Sequence, residues 1–202
     1  MHLHTLTIII NEIDSVMLEL TPFDLKNLQT HYNWNNDKEL NYFDSEYPFQ
    51  FESYESFVNR IKSVIDPENT STKLLEIHRS DTGELIGVID IHGIDHHNSR
   101  CTLECTIGKK TYWHQGYGHE AVQCALDYCF DELGLNRVNT TAFDFNKPWI
   151  KLVKKLGFKQ EGKLRQHVWK EGSFHDKLLF GILRSEYEQE AVYVTARKSA
   201  AI

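Results

Sequence analysis

The sequence contains few of the features that mark exported or metal-binding proteins. It has four cysteines in 202 residues, and no two of them form a C-x-x-C pair. Their apolar neighbours favour small buried side chains in a reducing compartment over disulfides or a metal site. We therefore expect no bound metal. The cysteines are Cys101, Cys105, Cys124 and Cys129.

The chain also lacks a long apolar segment and an excess of basic residues. No stretch approaches the ~20 apolar residues of a membrane span, and residues 1–10 lack the basic start and apolar core of a signal peptide. The formal net charge is −7, which disfavours nucleic-acid binding because that needs a basic surface. We expect a cytoplasmic protein that binds neither membrane nor nucleic acid and attracts cationic or amine-bearing molecules.

The composition is that of a globular protein, with 41% hydrophobic and 25% charged residues. No internal repeat or long Pro-, Gly- or Ser-rich linker divides the chain. We therefore predict a single domain over residues 1–202, with a core from about residue 15 to 187 and a flexible C-terminal tail.

Hydrophobic periodicity predicts an α/β (α+β) fold, a mixed sheet with helices packed on it. A first helix is expected to begin at Pro22, because proline is tolerated in a first turn. Residues 33–51 are predicted to form a loop with at most one helical turn, and residues 93–99 a second loop. The strands are predicted at 16–20, 74–79, 84–92, 101–107, 137–143, 158–169 and 174–184, and the helices at 22–31, 53–66, 116–133 and 147–156.

The most informative segment is residues 113–121, which lie between a predicted strand and an amphipathic helix. Gly116 and Gly118 allow the backbone to approach a ligand without a Cβ in the way. The free amides of a first helical turn, with the helix dipole, form an anion site suited to a diphosphate. We expect the amides of residues 115–119 to bind it, although the two glycines could also form only a tight turn.

Several motifs in order along the chain resemble the Gcn5-related N-acetyltransferase superfamily, and within it the ribosomal-protein N-terminal and spermidine acetyltransferases. The small positions of that family's signature match Gly116 and Gly118, and the early 37–39 segment also matches. The resemblance covers about residues 15–187. Its downstream block comprises the 135–138 segment, Asn146, residues 156–158, Glu161, Gly162, Arg165, Gly172 and Asp176.

This resemblance implies a mostly antiparallel sheet with a V-shaped split between the strands at 101–107 and 137–143. Acetyl-CoA is the implied co-substrate, with its pantetheine arm in the split, bonded to backbone near Ile107. Asn146 is expected to bond the arm, to cap the following helix, or both. The predicted cofactor-binding residues are Ile107, Trp113, His114, Gln115, Gly116, Tyr117, Gly118, His119, Asn146 and Trp149.

Three positions depart from the family pattern. Trp113 replaces the Arg or Gln that opens the signature, and Trp149 occupies a slot that is usually small. Val153 stands where many relatives have a tyrosine that protonates the leaving thiolate. A thiol with a pKa of about 8.5 leaves tolerably well without a dedicated acid, so activity does not require that tyrosine.

Glu104 is the predicted catalytic base. An alkylamine is mostly protonated at neutral pH and must lose a proton before it attacks. Relatives often carry an acidic residue at the position of Thr102, and Glu104 points to the same face of the strand. The alternative is a surface carboxylate without a catalytic role. A backbone amide near Ile107 is the expected donor to the developing oxyanion.

Other residues leave alternatives open. His92, His96 and His97 surround a loop and are expected to be polar loop residues rather than metal ligands. Lys109 and Lys110 could approach phosphates or form a solvated turn. The aromatic residues of the early segment could pack the core or select the acceptor. They are Tyr32, Trp34, Tyr42 and Phe43.

The resemblance therefore predicts an N-acetyltransferase in which an amine attacks acetyl-CoA directly in a ternary complex. The acceptor is a primary amine: a protein N-terminus is ranked first, then a polyamine or another small amine. A homodimer is left open. The alternative is a binding module of the same fold that holds an acyl-CoA without turnover, which the residues at positions 113, 149 and 153 would favour.

Overall fold

The computed structural model describes residues 17–187, in which seven strands form one sheet in the order β1-β2-β3-β4-β5-β7-β6. All neighbouring strands are antiparallel except β4 and β5. The strands are β1 Leu18–Pro22, β2 Thr72–Arg79, β3 Leu85–Asp95, β4 Arg100–Ile107, β5 Arg137–Phe143, β6 Lys159–Lys170 and β7 Ser173–Leu183. The helices are α1 Leu28–Asn35, α2 Lys38–Asp44, α3 Tyr54–Val64, α4 Tyr117–Asp127 and α5 Lys147–Lys155.

This architecture confirms the predicted fold class, but the prediction was wrong at several boundaries. Pro22 does not open a helix: it is the last residue of β1 and pairs with Leu75. The first helical turn, Leu25–Asn27, begins only after Asp24, whose side chain caps it by accepting from the Lys26 amide at 2.9 Å. An aspartate cap therefore sets the helix start here, and the proline does not.

The predicted 33–51 loop contains a full helix, α2. The side chain of Asp37 accepts hydrogen bonds from the amides of Glu39 and Leu40, which stabilises the first turn. The predicted 93–99 loop is shorter, because β3 continues to Asp95. The predicted helix 116–133 changes to a π-helical turn at Tyr128–Glu132. The predicted C-terminal tail lies almost entirely outside the described residues.

The sheet splits between β4 and β5, as the resemblance implied. The two strands pair in parallel only near their starts, through Arg100 with Arg137, Cys101 with Val138, and Thr102 with Asn139. The side chain of Asn139 donates to the Cys101 carbonyl at 2.9 Å and braces the last of these pairs. Beyond that point the strands diverge and leave backbone groups available between them.

Helix α4 packs across one face of the sheet and fixes the position of its own N-terminus. Ala121, Val122, Ala125 and Leu126 are fully buried in the core. Glu120, in the first turn, accepts from the amides of Met17 and Leu18 at 2.7 and 3.1 Å, which attaches the helix to the edge strand. No helix among residues 17–187 has the length and apolar character needed to cross a bilayer.

A buried carboxylate holds α1 against the sheet. Glu76, on β2, is fully buried. It accepts from Asn27 and His31 at 2.8 Å and from His78 at 3.0 Å. Burial opposes the charged form, but these hydrogen bonds prevail and hold the pKa of Glu76 below its usual value. Helix α1 is therefore fixed against β2.

Candidate active site

A cleft of about 780 Å³ opens at the split in the sheet. Its walls come from α2, from the end of β4, from the segment that leads into α4, and from β5 with α5. This placement brings together eight of the predicted cofactor residues and the predicted base. They are Ile107, Trp113, His114, Gly116, Gly118, His119, Asn146, Trp149 and Glu104.

The turn before α4 exposes a row of backbone amides. Gly116 is the N-cap residue with φ +95°, a conformation that favours glycine, and His114 also has a positive φ, 61°. Within residues 17–187, the amides of residues 114–118 donate to no protein acceptor. The His119 amide was predicted to be free, but it donates to the Gly116 carbonyl at 2.9 Å. The available donors thus lie one residue earlier than predicted.

The side chains of Gln115 and Tyr117 do not line the cleft. Gln115 donates from its amide nitrogen to the Thr111 carbonyl at 2.6 Å. Tyr117 is buried against Tyr112, with ring centroids 5.2 Å apart. Their predicted contact with the cofactor can therefore come only from their backbone amides.

The two unusual tryptophans each bond one of the diverging strands. The Trp113 indole donates to the Ile107 carbonyl of β4 at 2.7 Å. The Trp149 indole donates to the Thr141 carbonyl of β5 at 3.0 Å. Both carbonyls lie beyond the last β4–β5 pair and have no strand partner across the split. The indoles therefore satisfy acceptors that the split leaves exposed.

Asn146 has the capping role considered from the sequence, and its contact with the pantetheine arm stays a prediction. Its side-chain oxygen accepts from the Trp149 amide at 3.3 Å and caps α5. It also lines the cleft. Val153, at the position of the usual tyrosine, is fully buried in the core, so it presents nothing to the cleft.

One end of the cleft is acidic. Glu104 lies there on β4, and desolvation by the surrounding protein raises its pKa above the usual value, with a further contribution from Asp90. Asp44, at the end of α2, accepts a hydrogen bond from the Thr106 hydroxyl at 3.2 Å. Desolvation raises the pKa of Asp44 to about 6, and the charge of Glu104 adds to the effect. Two carboxyl groups with raised pKa values suit proton abstraction from an ammonium.

A second cavity of about 250 Å³ adjoins the acidic end and shares Leu40, Asp44, Glu104 and Thr106 with the cleft. Asp90 also lines it. Its Oδ1 atom has no hydrogen-bond partner in the described part of the chain, although His92 Nδ1 lies 3.5 Å away as an ion-pair partner. The aromatic rings of Phe23, Trp34 and Phe57 line other parts of the cavity, and so does Arg60, which is paired with Glu52. This combination of rings and carboxylates suits an organic cation.

Other sequence candidates lie away from this chemistry. Lys109 pairs with Glu84, and Lys110 with Asp37 and Glu39, so both form surface salt bridges. His96 and His97 are exposed in a turn. Among the described residues, no group of three or more His, Cys, Asp or Glu side chains could hold a metal ion. All four cysteines are free thiols, and the sulfurs of Cys101 and Cys129 are 3.8 Å apart.

Asp44, Lys151 and Lys155 are among the cleft residues that sequence reasoning missed. Asp44 follows an aromatic segment that was predicted to be mostly irregular, and only the helix α2 directs it to β4. Lys151 and Lys155 are separated by one helical turn on α5, a spacing that could have indicated a shared face.

Comparison with known proteins identifies the family. The acetyltransferase (GNAT) domain model matches residues 17–159. The uncharacterized N-acetyltransferase p20 of Bacillus licheniformis is 36% identical over 107 residues, which are 53% of this chain and 60% of that protein. Spermidine N(1)-acetyltransferase of Escherichia coli K12 is 25% identical over 174 residues, 86% of this chain and 89% of that protein. The match thus spans about three fifths of the length of the first relative.

The solved structures show the same fold. Spermidine N-acetyltransferase from Vibrio cholerae, in complex with CoA and spermine, superposes with a TM-score of 0.76 at 22% identity, covering 85% of this chain and 98% of that one. The family match over residues 17–159 agrees with the split sheet and with the exposed amides before α4, which the resemblance to this family had predicted. The chain belongs to the GNAT family of acetyl-CoA-dependent N-acetyltransferases.

Proposed function

We propose that the protein transfers the acetyl group of acetyl-CoA to a primary amine of a small organic cation. The observation that carries the proposal is that one cleft is lined both by the turn with free backbone amides and by two carboxyl groups, those of Glu104 and Asp44. Acetyl-CoA supplies an activated acetyl thioester. The residues of the cleft fit it, because an anionic group is met by amides and an amine by carboxylates.

The donor side is built from backbone. The amides of residues 114–118 bind the diphosphate, and the dipole of α4 adds partial positive charge. Asn146 and the backbone of β4 and β5 bond the pantetheine arm along the split. The Ile107 carbonyl is directed to Trp113 on the cleft side of β4, and the amide of a strand residue points the same way as its carbonyl. That amide stabilises negative charge on the acetyl oxygen.

The acceptor side removes a proton and holds a cation. Glu104 accepts the proton from the attacking ammonium, directly or through water. Asp44 keeps a second negative charge beside it. The fully buried Val153 leaves the departing thiolate without an acid from that position, so we assign its proton to water.

The second cavity guides the choice of acceptor. The family resemblance ranks a protein N-terminus first, but such an acceptor brings a single ammonium group followed by a polypeptide. The cavity carries Asp90 in addition to Asp44 and Glu104, so it favours an acceptor with another positive charge. The match to spermidine N(1)-acetyltransferase supports the same choice.

The test is release of free thiol from acetyl-CoA in the presence of three acceptor classes: a linear triamine, a monoamine of equal length, and a peptide with a free N-terminus. We expect the triamine to give the highest kcat/KM. Glu104→Gln should lower kcat/KM by about 10²–10⁴-fold while leaving CoA affinity unchanged.

A preference for the peptide would overturn the acceptor assignment and leave acetyl transfer intact. Thermal stabilisation by CoA without thiol release for any acceptor would support the binding module instead. That alternative rests on the absence of a hydroxyl at Val153 and on the indoles of Trp113 and Trp149 in the cleft.

A further inference from the structure

Helix α5 presents two lysines to the cleft that have no counter-ion in the described chain. Lys151 and Lys155 line the cleft and form no salt bridge within residues 17–187. They are four residues apart and therefore lie on one face of the helix. Lys147 and Lys154 lie on the same helix but do not line the cleft.

Three lysines on other elements are paired with carboxylates. Lys177, the other lysine of the cleft, pairs with Glu46 at 2.5 Å, and Lys109 and Lys110 also form salt bridges. Lys147 and Lys154 of α5 form none within residues 17–187 either, so Lys151 and Lys155 differ from them in lining the cleft. Two ammonium groups on one cleft wall without an acidic partner favour an anion from outside the protein.

The helix that carries these lysines lies beside the exposed amides, because a Cβ at Gly118 would be 3.4 Å from Leu152 Cδ1, the residue next to Lys151. Burial lowers the pKa of His119, in the first turn of α4, and the ammonium of Lys155 lowers it further. The positive charge of Lys155 therefore acts on His119, in the part of the cleft where the diphosphate is expected. His119 itself lines that part.

The charge of the ligand exceeds what the amides can balance. The N-terminus of a helix supplies about half a positive charge, while CoA carries a diphosphate and also a phosphate monoester on its ribose. A monoester of this kind holds about −1.5 to −2 charges at pH 7. Two ammonium groups match that charge.

We propose that Lys151 and Lys155 form a binding site for the ribose 3′-phosphate of CoA and so select CoA over its dephosphorylated form. This inference rests on the proposed function, since it concerns the same cleft. The ammonium groups bind the monoester by charge-assisted hydrogen bonds, separate from the amides that bind the diphosphate. The lysine pair then determines which nucleotide thiol the enzyme accepts.

The test is direct measurement of the Kd values of CoA and of dephospho-CoA by calorimetry, without turnover. We expect the unmodified protein to bind CoA at least about tenfold more tightly than dephospho-CoA. In the double variant Lys151→Met/Lys155→Met the ratio should fall towards one, mainly through weaker CoA binding. The affinity for dephospho-CoA should change little.

Lys154→Met is the matched control, because Lys154 lies in the same last turn of α5 and does not line the cleft. Any general effect of removing positive charge from the helix end should appear equally in it. A ratio that stays unchanged in the double variant, or falls as much in Lys154→Met, overturns the lysine site. Failure of both nucleotides to bind the unmodified protein overturns the proposed function as well.

Discussion

Asp44 shows how a single carboxyl group can set the pH range of the proposed reaction. Its pKa of about 6 is raised above the usual value first by desolvation and then by Glu104. A carboxyl group with a raised pKa is charged only above that pKa and becomes neutral as the pH falls through it. The attraction of the site for a cationic acceptor should therefore weaken below about pH 6.

We expect the KM for the amine to rise as the pH falls through about 6, the pKa of Asp44. In Asp44→Asn the KM should be high at all pH values, and this dependence should disappear. Steady-state kinetics between pH 5 and 8 measure the KM of the unmodified protein and of the variant. The control is Asp24→Asn, because Asp24 caps a helical turn outside the cleft. An unchanged pH dependence in Asp44→Asn would exclude this role.

Gly118 leaves space between the two walls of the cleft. A Cβ built there would lie 3.4 Å from Leu152 Cδ1 and 3.7 Å from Ile107 Cγ1, ordinary contact distances. Gly118→Ala should therefore bind CoA nearly as well as the unmodified protein.

Gly118→Val adds two methyl groups beyond that contact and should weaken CoA binding by about tenfold or more, roughly 1.4 kcal/mol. Titration calorimetry measures the Kd of CoA for both variants. The alanine variant reports the effect of replacing glycine, and the valine variant adds the effect of filling the space beside Leu152 and Ile107. Equal affinities for the alanine and valine variants would place the diphosphate elsewhere.

At the scale of the elements, the contact between α1 and the end of β4 depends on Gly108. A Cβ at this position would lie 2.1 Å from Trp34 Cδ2, inside the ring's own space. The indole of Trp34 lines the second cavity and contacts His31 edge-on, with ring centroids 5.1 Å apart. The position of α1 therefore determines the shape of the acceptor side.

Gly108→Ala should destabilise the protein by about 1–3 kcal/mol, since overpacking forces the indole to move. In chains of 150–250 residues this corresponds to about 2–4 °C in Tm per kcal/mol. The KM for the acceptor should rise while CoA affinity is retained. The double variant Gly108→Ala/Trp34→Leu should recover most of the stability, and a purely additive result would show that the two residues are not coupled.

The elements also show what the sequence could and could not predict. Strand β5 was predicted with the bounds that it has, because its period and flanking turns agree locally. The start of the first helix was misplaced because Pro22 and Asp24 both give start signals, and only the pairing of Pro22 with Leu75 decides between them. The length of α2 was missed because its aromatic residues have no clear helical period.

The site was predictable only where one segment supplies it. The amides before α4 and the cap at Asn146 are local features, and the sequence placed both. The influence of the Glu104 charge on the pKa of Asp44 links β4 to α2, and that of Lys155 on the pKa of His119 links α5 to α4. These interactions depend on the order of strands and the packing of helices, which hydrophobic periods do not determine.

At the scale of the whole molecule, the sheet consists of two parts joined by a short seam. Strands β1–β4 form one part, β5, β7 and β6 form the other, and three residue pairs connect them. A ligand that bonds both β4 and β5 adds contacts across this seam. It should therefore stabilise the folded protein as a whole.

CoA at about 100 times its Kd should raise the free energy of unfolding by about 2.7 kcal/mol, seen as a higher Tm. Hydrogen exchange should slow most at the ends of β4 and β5, beyond Thr102 and Asn139. Adenosine, which lacks both the phosphates and the pantetheine arm, is the control. Equal protection by adenosine would show that the seam is not bridged.

The indole hydrogen bonds of Trp113 and Trp149 give the protein an intrinsic optical signal. The chain has four tryptophans, and these two lie on opposite sides of the split with their N–H groups on strand carbonyls. Trp169 is 57% exposed on β6 and packs against Phe174, with ring centroids 4.7 Å apart. A ligand that enters the split shields or displaces the two cleft indoles, so their emission reports occupancy without any added dye.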